Sequence, residues 1–112
     1  MLIPVSKTRP FVLLTGATGQ LGGLLLSRLL SCEVPVAVLV RGSRRQTAAE
    51  RLEDLMQRLE YRCERLFVRP VCLNGDLCLP FMGLSASERS WISENCGSVI
   101  HSAASLSFRP AK

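Results

Sequence analysis

Lysine, histidine and tyrosine are scarce in this chain of 112 residues. Lys7 and Lys112 are its lysines, His101 its one histidine and Tyr61 its one tyrosine. The scarcity excludes several chemistries at once. One histidine and five cysteines (Cys32, Cys63, Cys72, Cys78, Cys96), none paired as C-x-x-C, form neither a zinc site nor a disulfide framework. They are expected to be reduced, mostly buried thiols. No apolar run reaches the roughly 18–20 residues of a membrane span. The first ten residues lack the roughly 7–15-residue apolar core of a secretory signal. A cytoplasmic protein without a membrane span is the expectation. Charged residues make up 21% against 47% hydrophobic, which excludes a disordered polyelectrolyte.

The formal net charge of +5 is carried almost wholly by arginine. Its distribution argues against a nucleic-acid partner. Arg51, Arg58 and Arg62 alternate with Glu50, Glu53, Asp54, Glu60 and Glu64, as on a solvated helix face, with Asp54 and Arg58 at i,i+4 spacing. The cluster without a neighbouring acid is short: Arg41, Arg44 and Arg45. Three arginines at one point suit a single phosphate better than a polyanion.

Apolar patterning predicts alternating strands and helices. Phe11-Val-Leu-Leu-Thr15 reads as a strand buried on both faces. Residues 20–31 read as a helix with a Leu21, Leu25, Leu29 stripe and Leu24 beside it. Val36-Ala-Val-Leu-Val40 is a second strand. Residues 47–61 form the clearest amphipathic helix, with Ala48, Leu52, Leu55, Met56 and Leu59 at the 3.6 period. Residues 66–73 read as a third strand containing Pro70, which places it at an edge. Asn74-Gly75-Asp76 is a turn. Ser85-x-x-Glu88 is a capping box opening a short helix with Trp91 and Ile92, which Gly97 is expected to end. Ser98-Val-Ile-His101 is a fourth strand. The order β-α-β-α-β-α-β implies a Rossmann-like, doubly wound parallel α/β sheet of strand order 3-2-1-4, ending after the fourth strand.

The sharpest motif is Thr15-Gly-Ala-Thr-Gly-Gln-Leu-Gly22, which follows a strand and opens a helix as a dinucleotide fingerprint does. Gly16 permits the tight turn, Gly19 lets a pyrophosphate approach the backbone, and Gly22 allows close packing of helix on sheet. Free N–H groups and the positive helix end face the phosphates. The spacing is G-x-x-G-x-x-G. At the end of the second strand, where an acid selects the ribose 2′-hydroxyl of NAD, this chain has Val40-Arg41-Gly-Ser-Arg44-Arg45. Arginine can grip a 2′-phosphate with two charge-assisted bonds. NADP(H) is therefore expected over NAD(H), with Arg41 the main contact and Arg44 or Arg45 assisting.

These residues, with Asn-Gly75-Asp76-Leu77 and Val-Ile-His101-Ser-Ala-Ala104, resemble the extended short-chain dehydrogenase/reductases. Two stretches resemble its thioester-reductase and fatty acyl-CoA reductase branch. They are Leu39-Val-Arg41 followed by Ala49-Glu-Arg51-Leu52, and Gly83-Leu-Ser with Trp91 leading into His101-Ser-Ala-Ala-Ser-Leu-Ser-Phe108. The resemblance runs from about Phe11 to Phe108. It implies that Asp76 and Leu77 hold the adenine and that Ala103 and Ala104 line the adenosine side. It also implies that Thr18, Gln20 and Leu21 lie beside the pyrophosphate and that Arg51 is a second candidate for the 2′-phosphate. His101 is read as a structural residue at a strand end.

The resemblance further implies a Tyr-x-x-x-Lys dyad, in which a lysine lowers the pKa of a proton-donating tyrosine. Tyr61 is followed by Arg62-Cys63-Glu64-Arg65, so it is not that tyrosine, and no catalytic residue is assigned. The chain is accordingly expected to hold residues 1–10 as a tail, 11–108 as the N-terminal part of a cofactor-binding domain, and 109–112 as a truncated end. Such a portion is expected to be marginally stable or to self-associate, because its fourth strand is a sheet edge. An acyl-thioester or other carbonyl substrate would belong to a longer parent reductase. The alternatives are part of a nucleotide-sugar epimerase or dehydratase, and a non-catalytic NADP(H)-binding module.

Overall fold

The computed structural model describes residues 8–102. Four parallel strands, β1 (Phe11–Thr15), β2 (Val36–Val40), β3 (Val71–Asn74) and β4 (Cys96–His101), lie in the order β3-β2-β1-β4. The helices α1 (Gln20–Ser31), α2 (Ala48–Cys63) and α3 (Ala86–Asn95) connect them. This is the Rossmann-like topology expected from the alternation of elements, with β3 at one edge.

The alternation of side chains along each strand builds two cores. Val12 and Leu14 of β1 and Val36, Val38 and Val40 of β2 face α1 and α2, where Leu26, Leu29, Leu52, Leu55, Met56 and Leu59 meet them. Leu13, Ala37, Leu39 and Leu73 point the other way, onto Leu84 and Cys96, with Trp91 and Ile92 of α3 packed against them. Phe11 and Trp91 meet edge to face at 5.0 Å between ring centroids. Each fully buried aliphatic side chain contributes about 1.5–3 kcal/mol by leaving water. The α1–α2 side is the more populous core. On β4, Val99 remains 52% exposed.

The predicted stripe of α2 is the buried one, residue for residue. Its start is also firmer than expected. Thr47 Oγ1 accepts the Glu50 N–H, and the Glu50 carboxylate accepts the Thr47 N–H, a capping box matching that of Ser85 and Glu88 at α3.

Five expectations need correction. In α1, Leu21 and Leu24 are exposed, and the buried face runs through Gly22, Gly23, Leu26 and Leu29. The two glycines let the helix sit so close that they occupy the inward face, which rotates the leucine stripe. The third strand begins at Val71, not at residue 66: Leu66 and Val68 are exposed, and Pro70, with no N–H to give a ladder, precedes the strand. Gly97 does not end α3. The helix stops at Asn95, and Gly97 lies within β4, at the point where the β1–β4 register shifts between Phe11 and Val12. Asp54 accepts a hydrogen bond from Gln46 rather than pairing with Arg58. Finally, Cys96 is buried and Cys72 half-buried, but Cys32, Cys63 and Cys78 are exposed because they sit at helix ends and in a loop. Burial pushes the thiols of Cys72 and Cys96 above the ordinary value.

The connection from α2 to β3 is held by charge. Arg69 forks onto Glu53 and Glu60 of α2, and Glu60 also accepts the Phe67 N–H at 2.8 Å. Among the described residues no helix is long and apolar enough to cross a membrane. No group of three or more His, Cys, Asp or Glu among them could hold a metal.

Candidate dinucleotide-binding site

The site lies where the strands deliver their C-terminal ends, at the switch between β1 and the elements beside it. Thr15 ends β1, and Gly16 turns the chain with φ +80°, a value that suits glycine. The Gly19 N–H donates to the Gly16 carbonyl at 3.1 Å, closing the turn. Gly19 is the N-cap of α1, and no side chain caps that helix. Both other α-helices spend a Ser or Thr and a Glu on their first-turn N–H groups. The start of α1 has neither, and no acid lies in its first turn. A helix start of this kind offers N–H donors and a positive dipole end to an anion.

Gly22 has a different task. A Cβ on it would overlap the Gly16 carbonyl oxygen and lie 2.5 Å from the Gly16 carbonyl carbon and 2.8 Å from Ala17 Cα. It packs α1 against the turn itself, rather than against the sheet.

Across the strand ends a cavity of about 240 Å³ is lined by Thr15, Gly16, Thr18, Leu39, Val40, Arg41, Arg51, Gly75, Asp76 and Leu77. It thus gathers six of the sequence candidates: Gly16, Thr18, Arg41, Arg51, Asp76 and Leu77. A neighbouring cavity of about 300 Å³ includes Thr18, Gly19 and Gln20, with Arg58 and Arg62 of α2 on its far side. Leu21 lies on the exposed face of α1 and lines neither cavity. Arg44 and Arg45 are exposed in the turn before α2 and also line neither. Ala103 and Ala104 lie outside the described residues.

The polar groups of the larger candidate set are tied together. Arg41 Nη1 lies 3.5 Å from Asp76 Oδ2. Arg51 Nη1 donates to the Arg41 carbonyl at 2.6 Å, so this guanidinium braces the backbone of its neighbour. The Cys78 N–H, followed by the Arg41 guanidinium, holds the Asp76 carboxyl below the usual carboxylate range. Gly75 is buried. A Cβ there would lie 2.6 Å from the Met82 carbonyl oxygen and run into Leu39, so the loop after β3 closes tightly over this position.

Behind the cavity, Thr15 Oγ1 and His101 Nδ1 are hydrogen-bonded at 2.9 Å across β1 and β4. The Ser102 hydroxyl donates to the Thr15 carbonyl at 2.7 Å. His101 thus has the strand-end structural contact expected of it. Tyr61 is 88% exposed on α2 and away from the strand ends.

Residues 14–111 match the family profile described as male sterility protein, an NAD-binding family. The chain belongs to this family. It is 37% identical over 109 residues to the fatty acyl-CoA reductase wat of Drosophila melanogaster, covering 87% of this chain and 20% of that protein. Human fatty acyl-CoA reductase 1 is 37% identical over 105 residues, with the same coverage. The crystal structure of the terminal R domain from the myxalamid PKS-NRPS biosynthetic pathway superposes with a TM-score of 0.68 at 32% identity. That match covers 88% of this chain and 25% of the R-domain chain. The chain therefore spans about one-fifth of the length of the curated relatives it matches. The thioester-reductase and fatty acyl-CoA reductase branch, expected from the sequence, is the one found. The chain is a reductase-type NAD(P)-binding module, and a nicotinamide dinucleotide is the cofactor its family implies.

Sequence reasoning passed over Thr15, Leu39, Val40 and Gly75 as cavity walls. Thr15, Val40 and Gly75 adjoin residues that it did choose, so adjacency to Gly16, Arg41 and Asp76 was the usable signal. Arg58 and Arg62 gave none, since both read as solvated charges.

Proposed function

We propose that this chain is the NADP(H)-binding portion of a reductase that acts on acyl thioesters, giving an aldehyde or alcohol. The observation that carries the cofactor preference is Arg41 at the end of β2, on the wall of the same cavity as Arg51, where an NAD site would present a carboxylate. Arg41 receives the 2′-phosphate, and Arg51 holds its backbone in place. Thr18, Gln20 and Leu21, at the uncapped start of α1, take the pyrophosphate with their backbone N–H groups, and Gly19, whose own N–H closes the turn, leaves room for it to approach. Gly16 and Gly22 shape that turn. Asp76 and Leu77 hold the adenine. The residues fit such a group: the Arg41 guanidinium for a phosphate, apolar walls at Leu39 and Val40 for a flat base, and unspent N–H donors at the start of α1.

The chemistry a bound nicotinamide supplies is hydride transfer to a carbonyl. The work of this chain is to bind and orient. Residues 11–108 are assigned to that cofactor portion, and none of them is assigned to proton donation. Similarity to fatty acyl-CoA reductases and to a terminal R domain supports the thioester substrate class. Free, exposed thiols at Cys32, Cys63 and Cys78 suit a reducing, cytoplasmic setting.

The test is the affinity of the chain for NADPH and NADH, before and after Arg41→Asp. A charge-assisted contact contributes about 1.5–3 kcal/mol, so the substitution should lower the NADPH preference by about 10- to 100-fold. An unchanged ratio would overturn the assignment.

A further inference from the structure

The Arg41 side chain faces a fixed anion of the protein's own. Asp76 is held at three points: its N–H donates to the Met82 carbonyl at 2.7 Å, its carbonyl accepts the Leu79 N–H at 3.0 Å, and Oδ1 accepts the Cys78 N–H at 2.9 Å. Its remaining carboxylate oxygen, Oδ2, is the one that faces Arg41. The Asp76 side chain is 22% exposed, that of Arg41 66%. Asp76 is thus the rigid member of the pair. Arg41 is held at its base by the Arg51 guanidinium on its carbonyl, and its own guanidinium is largely exposed to solvent beside Asp76.

We propose that Asp76 sets cofactor selectivity by competing with the 2′-phosphate for the Arg41 guanidinium. The inference rests on the reading of Arg41 as the 2′-phosphate contact. Two anions, one built in and one brought by the ligand, share one mobile cation. The carboxylate also repels a dianionic phosphate placed beside it, whereas a 2′-hydroxyl feels no such repulsion. Asp76 therefore lowers affinity for the phosphorylated ribose relative to the plain one. Arg51 acts as a positioning residue, because it fixes the point from which Arg41 swings.

The probes are adenosine 2′,5′-bisphosphate and 5′-AMP, whose ratio of dissociation constants isolates the 2′-phosphate. Any contact of residue 76 with adenine is common to both and cancels. Asp76→Asn keeps the shape and the acceptor for the Cys78 N–H but removes the charge. It should raise the preference for the bisphosphate about two- to five-fold, the range of an exposed ion pair. In an Arg41→Met background the competition for the shared cation is gone and only the direct repulsion is left, so the same change should move the ratio less. A ratio that stays constant or falls in Asp76→Asn, while the wild-type chain prefers the bisphosphate and Arg41→Met loses that preference, overturns the competition alone. A wild-type chain with no preference for the bisphosphate overturns the Arg41 reading and the competition with it.

Discussion

Gly22 and Gly23 are adjacent in α1 and both buried, yet their alanine variants should move stability in opposite directions. At Gly22 the obstacles to a Cβ are all backbone: the Gly16 carbonyl and Ala17 Cα, within 2.8 Å or less. No rotamer change relieves them, so the turn must move away from the helix. Overpacking of this sort costs about 1–3 kcal/mol, and the rigid backbone puts this case at the upper end. Alanine returns about 1 kcal/mol of helix propensity, leaving a net loss of about 2 kcal/mol. At Gly23 the nearest atoms are the Ala17 carbonyl oxygen at 3.6 Å and methyl groups of Leu55 and Leu59 at 3.8 Å. That is ordinary contact, so Gly23→Ala should gain about 0.5–1 kcal/mol. Urea unfolding followed by circular dichroism gives both midpoints. The variants should straddle the wild type, separated by about 3 kcal/mol. If Gly22→Ala fails to fold, the raised midpoint of Gly23→Ala still tests the geometry. Two variants shifted in the same direction would refute the account of how α1 docks on the turn.

Two further outcomes follow from the hydrogen bonds and charges of α2. Thr47→Ala removes the acceptor for the Glu50 N–H and half of a reciprocal box, and should cost about 0.5–2 kcal/mol in the same urea assay. Arg69, hydrogen-bonded to both, holds the carboxyls of Glu53 and Glu60 below their ordinary 4.5. Groups with lowered folded-state values bind fewer protons folded than unfolded, so their contribution is complete above about pH 5 and lost as pH falls through those lowered values. Arg69→Met should therefore reduce stability at pH 7 and flatten its decline between about pH 5 and pH 3. An acid titration of the urea midpoint with parallel curves for the two proteins would contradict this.

Much of the fold was legible because its signals are local. The stripe of α2 is spelled at one period over about three turns, and the alternation of apolar runs with helical stretches leaves few arrangements of the sheet. The edge position of β3 followed from Pro70, even though the proline sits just outside the strand. Two of the errors share a cause. The leucines of α1 satisfy the helical period on more than one face, and nothing local reveals that Gly22 and Gly23 share the inward face with Leu26 and Leu29 while Leu21 and Leu24 point outward. Gly97 carries the same ambiguity: a helix stop and a strand irregularity look alike until the register with β1 is known.

The site divides along the same line. The glycine turn is contiguous, so its strand–turn–helix geometry could be read from eight residues. The charge arrangement around Arg41 could not, because it joins the ends of β2 and β3 to a turn of α2. Sequence alone makes Arg41, Arg44 and Arg45 an acid-free cluster and gives Arg51 a phosphate to bind. The fold brings Asp76 to Arg41, sends Arg44 and Arg45 to the surface, and turns Arg51 onto a backbone carbonyl. A count of arginines near the second strand therefore overstates the positive charge offered to a ligand. What matters is which guanidinium has a solvent-exposed, movable end and which anion already stands beside it. By that measure the proposed choice between a 2′-phosphate and a 2′-hydroxyl rests on one arginine and one aspartate rather than on the basic cluster.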